Sequence, residues 1–169
     1  SMGGQIALLC AAERPDDVCC VVAAYPVTDL RAQVEYVLSL LPLSPALLVA
    51  GRPGDVAAAF KFFRDLREEF GGNPALLRFT DDYLRYSPIE RASEIKVPVL
   101  VVHGDKDRVV PLSQTLKFAE RLREAGARLE LRVVEGGGHD DETIVRAMGD
   151  IMRFLEECFG VGGGQPLDR

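Results

Sequence analysis

Histidine is the side chain best suited to move protons near neutral pH, and this 169-residue chain holds two of them, His103 and His139. His139 closes a run of glycines, GGGH, just beyond a strand-like apolar stretch. A glycine turn at the carboxyl end of a parallel strand is where an open α/β sheet places its ligands, so His139 is the candidate general base. His103 ends another apolar run and precedes Gly104, and it reads as a buried structural histidine. Asp107, in HGDKDRVVP, can reach a histidine on the neighbouring loop, fix its tautomer and stabilise the imidazolium. Asp105 is its rival in the same loop. The chain opens SMGG. A serine followed by small residues and then a helix has the make-up of a turn that projects a hydroxyl from a sheet and lets the next backbone N–H hold an oxyanion. Ser1, Asp107 and His139 thus make a nucleophile, acid and base set for acyl transfer.

Other constellations are weaker. His139-Asp140-Asp141-Glu142 offers one histidine beside an acidic cluster, the pattern of a helix first turn that complements its dipole and not of a metal site. Cys10, Cys19, Cys20 and Cys158 lack metal-finger spacing. Cys19 and Cys20, as neighbours on a strand, would point to opposite faces and not bridge. Neither a metal ion nor a cofactor is expected.

These residues need a scaffold, and the hydrophobic pattern predicts one that alternates helix and strand. Residues 18–25, 97–103 and 128–134 are short, apolar, β-branched runs. The first two read as strands buried on both faces, the parallel-sheet signature, while the third alternates and belongs nearer a sheet edge. Helices are expected over 3–13, over 113–125 with Leu116, Ala119 and Leu122 on one face, and over 143–159. The last is read as one long helix carrying Ile144, Met148, Ile151, Met152, Leu155 and Phe159 at helical spacing. Between the first two strands lies a helical insertion, about residues 30–86, with one helix over 30–41 and another over 55–70 striped by Val56, Phe60, Phe63 and Phe70. Two roles fit it equally, a pocket wall or lid and a surface excursion that stabilises the sheet. Within it, residues 34–50 read either as an acyl-pocket wall or as ordinary helix core. The glycine-rich tail, 160–169, is expected to be disordered.

Composition narrows the class. With 47% hydrophobic and 27% charged residues the chain is globular, and its net charge of -6 argues against nucleic acid as a partner. No apolar run approaches the ~20 residues of a membrane span and no signal-peptide pattern opens the chain, so a cytoplasmic setting is expected.

The order serine, acid, histidine is that of the α/β-hydrolase fold. The stretch YLRYSPIERASEIKVPVLVVHGDKDRVVPLSQTLKFAERLREAG, followed by VVEGGGH, resembles the C-terminal part of the catalytic domain of the prolyl oligopeptidase family, which includes acylaminoacyl and dipeptidyl peptidases. Tyr86-Ser87-Pro88, the HG-x-x-D-x-x-VP element from His103 to Pro111, Gln114, GGGH, the serine followed by x-Gly-Gly and the strand end YPVTD all fall where that pattern puts them. The resemblance covers the chain up to its glycine tail. It implies a three-layer, partial α/β-hydrolase fold with three core strands over residues 1–159. It also implies Ser1 as nucleophile, Asp107 as triad acid, His139 as base and the Met2 backbone N–H in the oxyanion hole. The substrate class it implies is a peptide or an acyl ester. Esterases, lipases and dienelactone-type hydrolases share the HG-x-x-D-x-x-VP element, so a carboxylesterase or thioesterase acting on hydrophobic acyl groups is the alternative enzyme. A non-catalytic oligomerisation module is the alternative of another class.

The pattern departs from the family at its first residue, where a complete member has further strands, a glycine two positions before the serine and the second oxyanion donor. The expectation is a segment truncated at the nucleophile, with Ser1-Met2 either native or a tag-cleavage scar that mimics the motif. Loss of one oxyanion donor costs about 10²–10³ in turnover, so the isolated chain is expected to be a poor catalyst. A homodimer is expected through the exposed edge of strand 18–25 or through helix 3–13.

Overall fold

The computed structural model describes residues 1–40, 46, 50, 53–70 and 85–160. Three strands, β1 (Val21–Ala24), β2 (Val99–Gly104) and β3 (Leu129–Val134), form a parallel sheet in the order β1-β2-β3. Val21 pairs with Val99 and Val99 with Leu129, so the strands start level and end at a common carboxyl edge. Parallel neighbours need crossovers, and helices supply them: α1 (Met2–Glu13) precedes β1, α2 (Leu30–Leu40) and α3 (Pro53–Phe70) follow it, and α4 (Leu112–Glu124) joins β2 to β3. After β3 come α5 (Asp141–Arg146) and α6 (Met148–Phe159).

Central strand β2 is buried along its whole length and sends alternate residues into two cores. Val99 and Val101 meet Leu8 and Ala11 of α1, Phe118 and Leu122 of α4, and Ile95. Leu100 and Val102 meet Val134, Ala147 and Phe154 of α6. Helices therefore cover both faces, giving the expected three layers.

Several sequence expectations need correction. β1 is shorter than residues 18–25 and only alternate residues are buried, Val21 and Ala23, because it is an edge strand of the described sheet and not a central one. Cys19 and Cys20 precede β1, so strand alternation does not separate them; their Sγ atoms lie 3.8 Å apart and all four cysteines are free. On α4 the inward face is Gln114, Thr115, Phe118, Ala119 and Leu122, while Leu116 is exposed. The single helix over 143–159 is two, broken at Ala147, whose buried methyl group faces the core while its backbone leaves helical geometry. Met148, Met152 and Phe159 are exposed, and Phe154 is the buried anchor that the spacing did not single out.

In the insertion, α2 and α3 fall close to their expected bounds. Val34 and Val37 of α2 are core, which is the ordinary helix-core reading for that part of 34–50. Phe60 is exposed, and the Phe63 and Phe70 side chains lie outside the described residues, as do most of 41–52 and the tail from 161 onward. The Ser87 hydroxyl, fully buried, accepts from the Leu30 N–H at 3.0 Å, and Ile89 N–H donates to the Thr28 carbonyl at 2.9 Å. The YSP and YPVTD elements are thus stitched together where the insertion leaves and rejoins the sheet.

Candidate active site

Asp107 and His139 sit on the two loops that leave the carboxyl ends of β2 and β3, and backbone hydrogen bonds splice those loops together. Asp105 N–H donates to the Val134 carbonyl at 3.1 Å and Lys106 N–H to the Gly137 carbonyl at 2.9 Å. The contact is so close that a Cβ on Gly104 would lie 2.2 Å from the Gly137 oxygen. Gly136, at φ +69, makes the turn that carries His139 back over the sheet. Asp105 accepts the Gly136 N–H at 2.6 Å, so the rival acid is spent on holding the loop and not on His139.

The Asp107 side chain is completely buried, and its carboxylate is fully partnered. Oδ1 accepts the N–H groups of Val109 and Val110 at 2.8 and 2.9 Å. Oδ2 lies 2.7 Å from His139 Nδ1 and 3.3 Å from His103 Nε2. Burial alone would raise its pKa, but the donors from His103, His139 and Val110 outweigh burial and hold the carboxyl well below the usual carboxylate range. A carboxylate can only accept, so His139 carries its proton on Nδ1 and the neutral ring presents a bare Nε2. That nitrogen can take a proton from a hydroxyl.

Tyr25 was not singled out as a site residue. Its buried ring lies 4.1 Å from the His139 ring, tilted 43°. It ends β1 with φ +37, a conformation rare outside glycine, and donates its N–H to the Val102 carbonyl at 2.7 Å. His103, expected to be a buried structural histidine, is fully buried, and its Nε2 also stands 3.3 Å from Asp107 Oδ2.

Ser1 caps α1 at the carboxyl end of β1, where its amino group donates to the Ala24 carbonyl at 3.1 Å. Burial lowers the pKa of that amino group, opposed by Asp107 nearby. The Ser1 hydroxyl and the His139 ring are not hydrogen-bonded in this arrangement. Met2 is the first residue of α1, and its N–H has no partner inside the helix. Behind it, Gly4 packs so closely that a Cβ would lie 3.2 Å from Pro26 Cβ and 3.3 Å from Ala23 Cβ.

Asp140 caps α5 by accepting the Thr143 N–H at 2.9 Å, so the acidic cluster after His139 begins a helix, as expected. No group of metal-ligating side chains stands among the described residues. A cleft of about 230 Å³ opens beside Pro111, between Tyr36 of α2 and Lys117 of α4; neither Asp107 nor His139 lines it. Among the described residues no helix is long and apolar enough to cross a membrane.

Residues 47–162 match the sequence profile of the prolyl oligopeptidase family, a span that includes Asp107 and His139 and begins after Ser1. This chain belongs to that family. A monoacylglycerol lipase of Mycolicibacterium smegmatis is 30% identical over 152 residues, 83% of this chain and 53% of the lipase. Among solved structures, puromycin hydrolase superposes with a TM-score of 0.65 at 25% identity, over 98% of this chain and 22% of the hydrolase. The acylaminoacyl peptidase of Pyrococcus horikoshii superposes with a TM-score of 0.68 at 18% identity, over 99% of this chain and 24% of the peptidase, a likeness of fold. The chain spans about half the length of the lipase and about a quarter or less of these two solved chains. In this prolyl oligopeptidase family member, Asp107 and His139 follow successive parallel strands.

Proposed function

We propose that this chain carries the nucleophile, acid and base of a serine hydrolase that transfers an acyl group to water. The observation that carries the reading is the 2.7 Å hydrogen bond from His139 to a fully buried, fully partnered Asp107. Ser1 Oγ attacks the acyl carbonyl as His139 Nε2 takes its proton, and Asp107 stabilises the imidazolium through Nδ1–H. The Met2 N–H faces the oxyanion. His139 returns the proton to the leaving group, and water releases the acyl-enzyme by the same exchange in reverse. Rotation of the serine side chain or a small loop shift must precede attack, since the hydroxyl and the ring are not yet bonded.

The substrate is a peptide or an ester. The ester reading, a hydrophobic acyl group, draws on the likeness to the monoacylglycerol lipase over 83% of this chain. The peptide reading draws on the family profile. Turnover of a p-nitrophenyl ester compared with an acylaminoacyl anilide separates them.

The test of the reading itself is fluorophosphonate labelling of the chain, read by intact and peptide mass spectrometry. Label on Ser1 that vanishes in His139→Ala is the expected result. A folded sample without label overturns Ser1 as nucleophile in this chain and favours a non-catalytic module.

A further inference from the structure

Both histidines of the chain approach one carboxylate oxygen. His103 is fully buried at the end of β2, with Nε2 2.9 Å from the Val110 carbonyl and 3.3 Å from Asp107 Oδ2. Its Nδ1 lies 2.8 Å from Thr115 Oγ1 on α4, also fully buried. These partners fix the ring chemistry. A carbonyl only accepts, so Nε2 bears a hydrogen, and the neutral ring then accepts the Thr115 hydroxyl proton at Nδ1. That hydroxyl polarises the ring and makes the Nε2–H a better donor. A histidine that merely filled space would be satisfied by Val110 and Thr115 alone, yet Asp107 Oδ2 stands 3.3 Å from the same Nε2.

We propose that His103 is a positioning residue for the acid–base pair: its Nε2–H, shared between Val110 and Asp107 Oδ2, locks the carboxylate and draws off part of the charge that His139 feels. The proposal rests on the reading of Asp107 and His139 as acid and base. The carboxylate is sealed from water, so no solvent molecule replaces a lost donor. Without the His103 N–H, Oδ2 would turn its whole charge on His139, and His139 would hold its proton to higher pH. The other charged or titratable groups facing this pair are the Ser1 amino group, Tyr25 and Asp140, with Asp141 facing Tyr25 behind them, and the substitutions below leave all of them in place.

With two histidines in the chain, ¹⁵N-histidine labelling of the full chain gives one ring system for each, assigned by His139→Ala. At pH 8 the expected spectrum shows His103 as the Nε2–H tautomer and His139 as Nδ1–H. In His103→Phe, the pH midpoint of the His139 ring signals rises by about half a unit, and in His103→Gln, which keeps a donor in reach, it returns toward the parent value. Thr115→Val keeps His103 but removes the hydroxyl behind it, and it moves the midpoint the same way by less. This variant serves if His103→Phe does not fold. A purely structural His103 would lower the melting temperature in these variants and leave the His139 midpoint and its Nδ1–H resonance where they were. That outcome, or an Nδ1–H tautomer at His103, overturns the proposal. Fluorophosphonate labelling separates its failure from that of the parent reading: label without a midpoint shift removes His103's role alone, whereas a shift without label removes Ser1 as nucleophile and leaves the His103 contact standing.

Discussion

At the scale of single residues, Asp107 joins stability to chemistry. Its folded pKa is depressed, so its contribution is fully present above the unfolded carboxylate value of about 3.9 and is lost as pH falls toward the folded value. Asp107→Asn keeps the volume but loses the charge. It should destabilise the chain by about 1–3 kcal/mol near pH 7, with the melting-temperature gap from the parent closing below about pH 4. A gap that stays constant down to pH 2 would show that the charge contributes nothing. In the same variant the His139 tautomer is no longer enforced, and Ser1 labelling should slow by about 10⁴. Tyr25 makes a different contribution. Its ring lies 4.1 Å from the imidazole, centroid to centroid and tilted 43°, where it holds the ring plane. Tyr25→Phe should therefore label at nearly the parent rate and Tyr25→Leu severalfold slower, with both still folded. Equal rates for Phe and Leu would reduce Tyr25 to packing.

Elements bring these residues together, and the critical joint is the contact between the loops after β2 and β3. Gly104→Ala forces a methyl carbon against the Gly137 carbonyl, which is backbone and cannot swing aside. The loop must lift, taking His139 away from Asp107. A cost of about 1–3 kcal/mol is expected, together with loss of the His139 Nδ1–H resonance. A variant that retains that resonance would mean the joint is looser than its geometry. How much of this was legible in the sequence depends on the range of each signal. The β-branched runs located all three strands, although burial runs through consecutive residues only in the central strand β2. GGGH and HGDKD pointed to the two loops that bring His139 and Asp107 together, because a tight return over a sheet edge demands glycine and a short polar loop. The break at Ala147 was not legible, since an unbroken apolar spacing runs through it and only the sheet decides where the chain must bend. His103 is buried and hydrogen-bonded, as its place at a strand end implied, but its approach to Asp107 was not legible for a related reason: a buried histidine looks alike in sequence whether its last neighbour is a carbonyl or a carboxylate. Tyr25 belongs to the strand end YPVTD, and nothing local in that sequence announces that its backbone turns to φ +37.

For the whole molecule, the open edges of the sheet matter most. Parallel β2 is paired on both sides, but β1, like β3, has a partner on one side alone among the described residues. Its outer edge presents backbone donors and acceptors along Val21–Ala24. Beside it, α1 exposes Met2 and Ile6, one turn apart and each more than half open to solvent. An open ladder flanked by an apolar helix stripe is a template for another strand, and an edge of this kind rarely stays bare. We propose that in solution a second copy of this chain covers it, edge to edge, giving a dimer at micromolar concentration. Size-exclusion chromatography with light scattering measures this directly. Ile6→Lys on the exposed stripe should shift the population toward monomer, as should Val22→Lys in the edge strand, whose side chain is partly buried against the Leu100 and Val102 core. A parent chain that runs as a monomer at tens of micromolar would overturn the dimer, leaving the edge to another segment of polypeptide. A dimer indifferent to both lysines would place the contact elsewhere. Because Ser1 and Met2 stand at the head of that same helix, covering the stripe bears on the site as well: a dimer seated there would hold the start of α1 against β1, and labelling of Ser1 should rise with chain concentration.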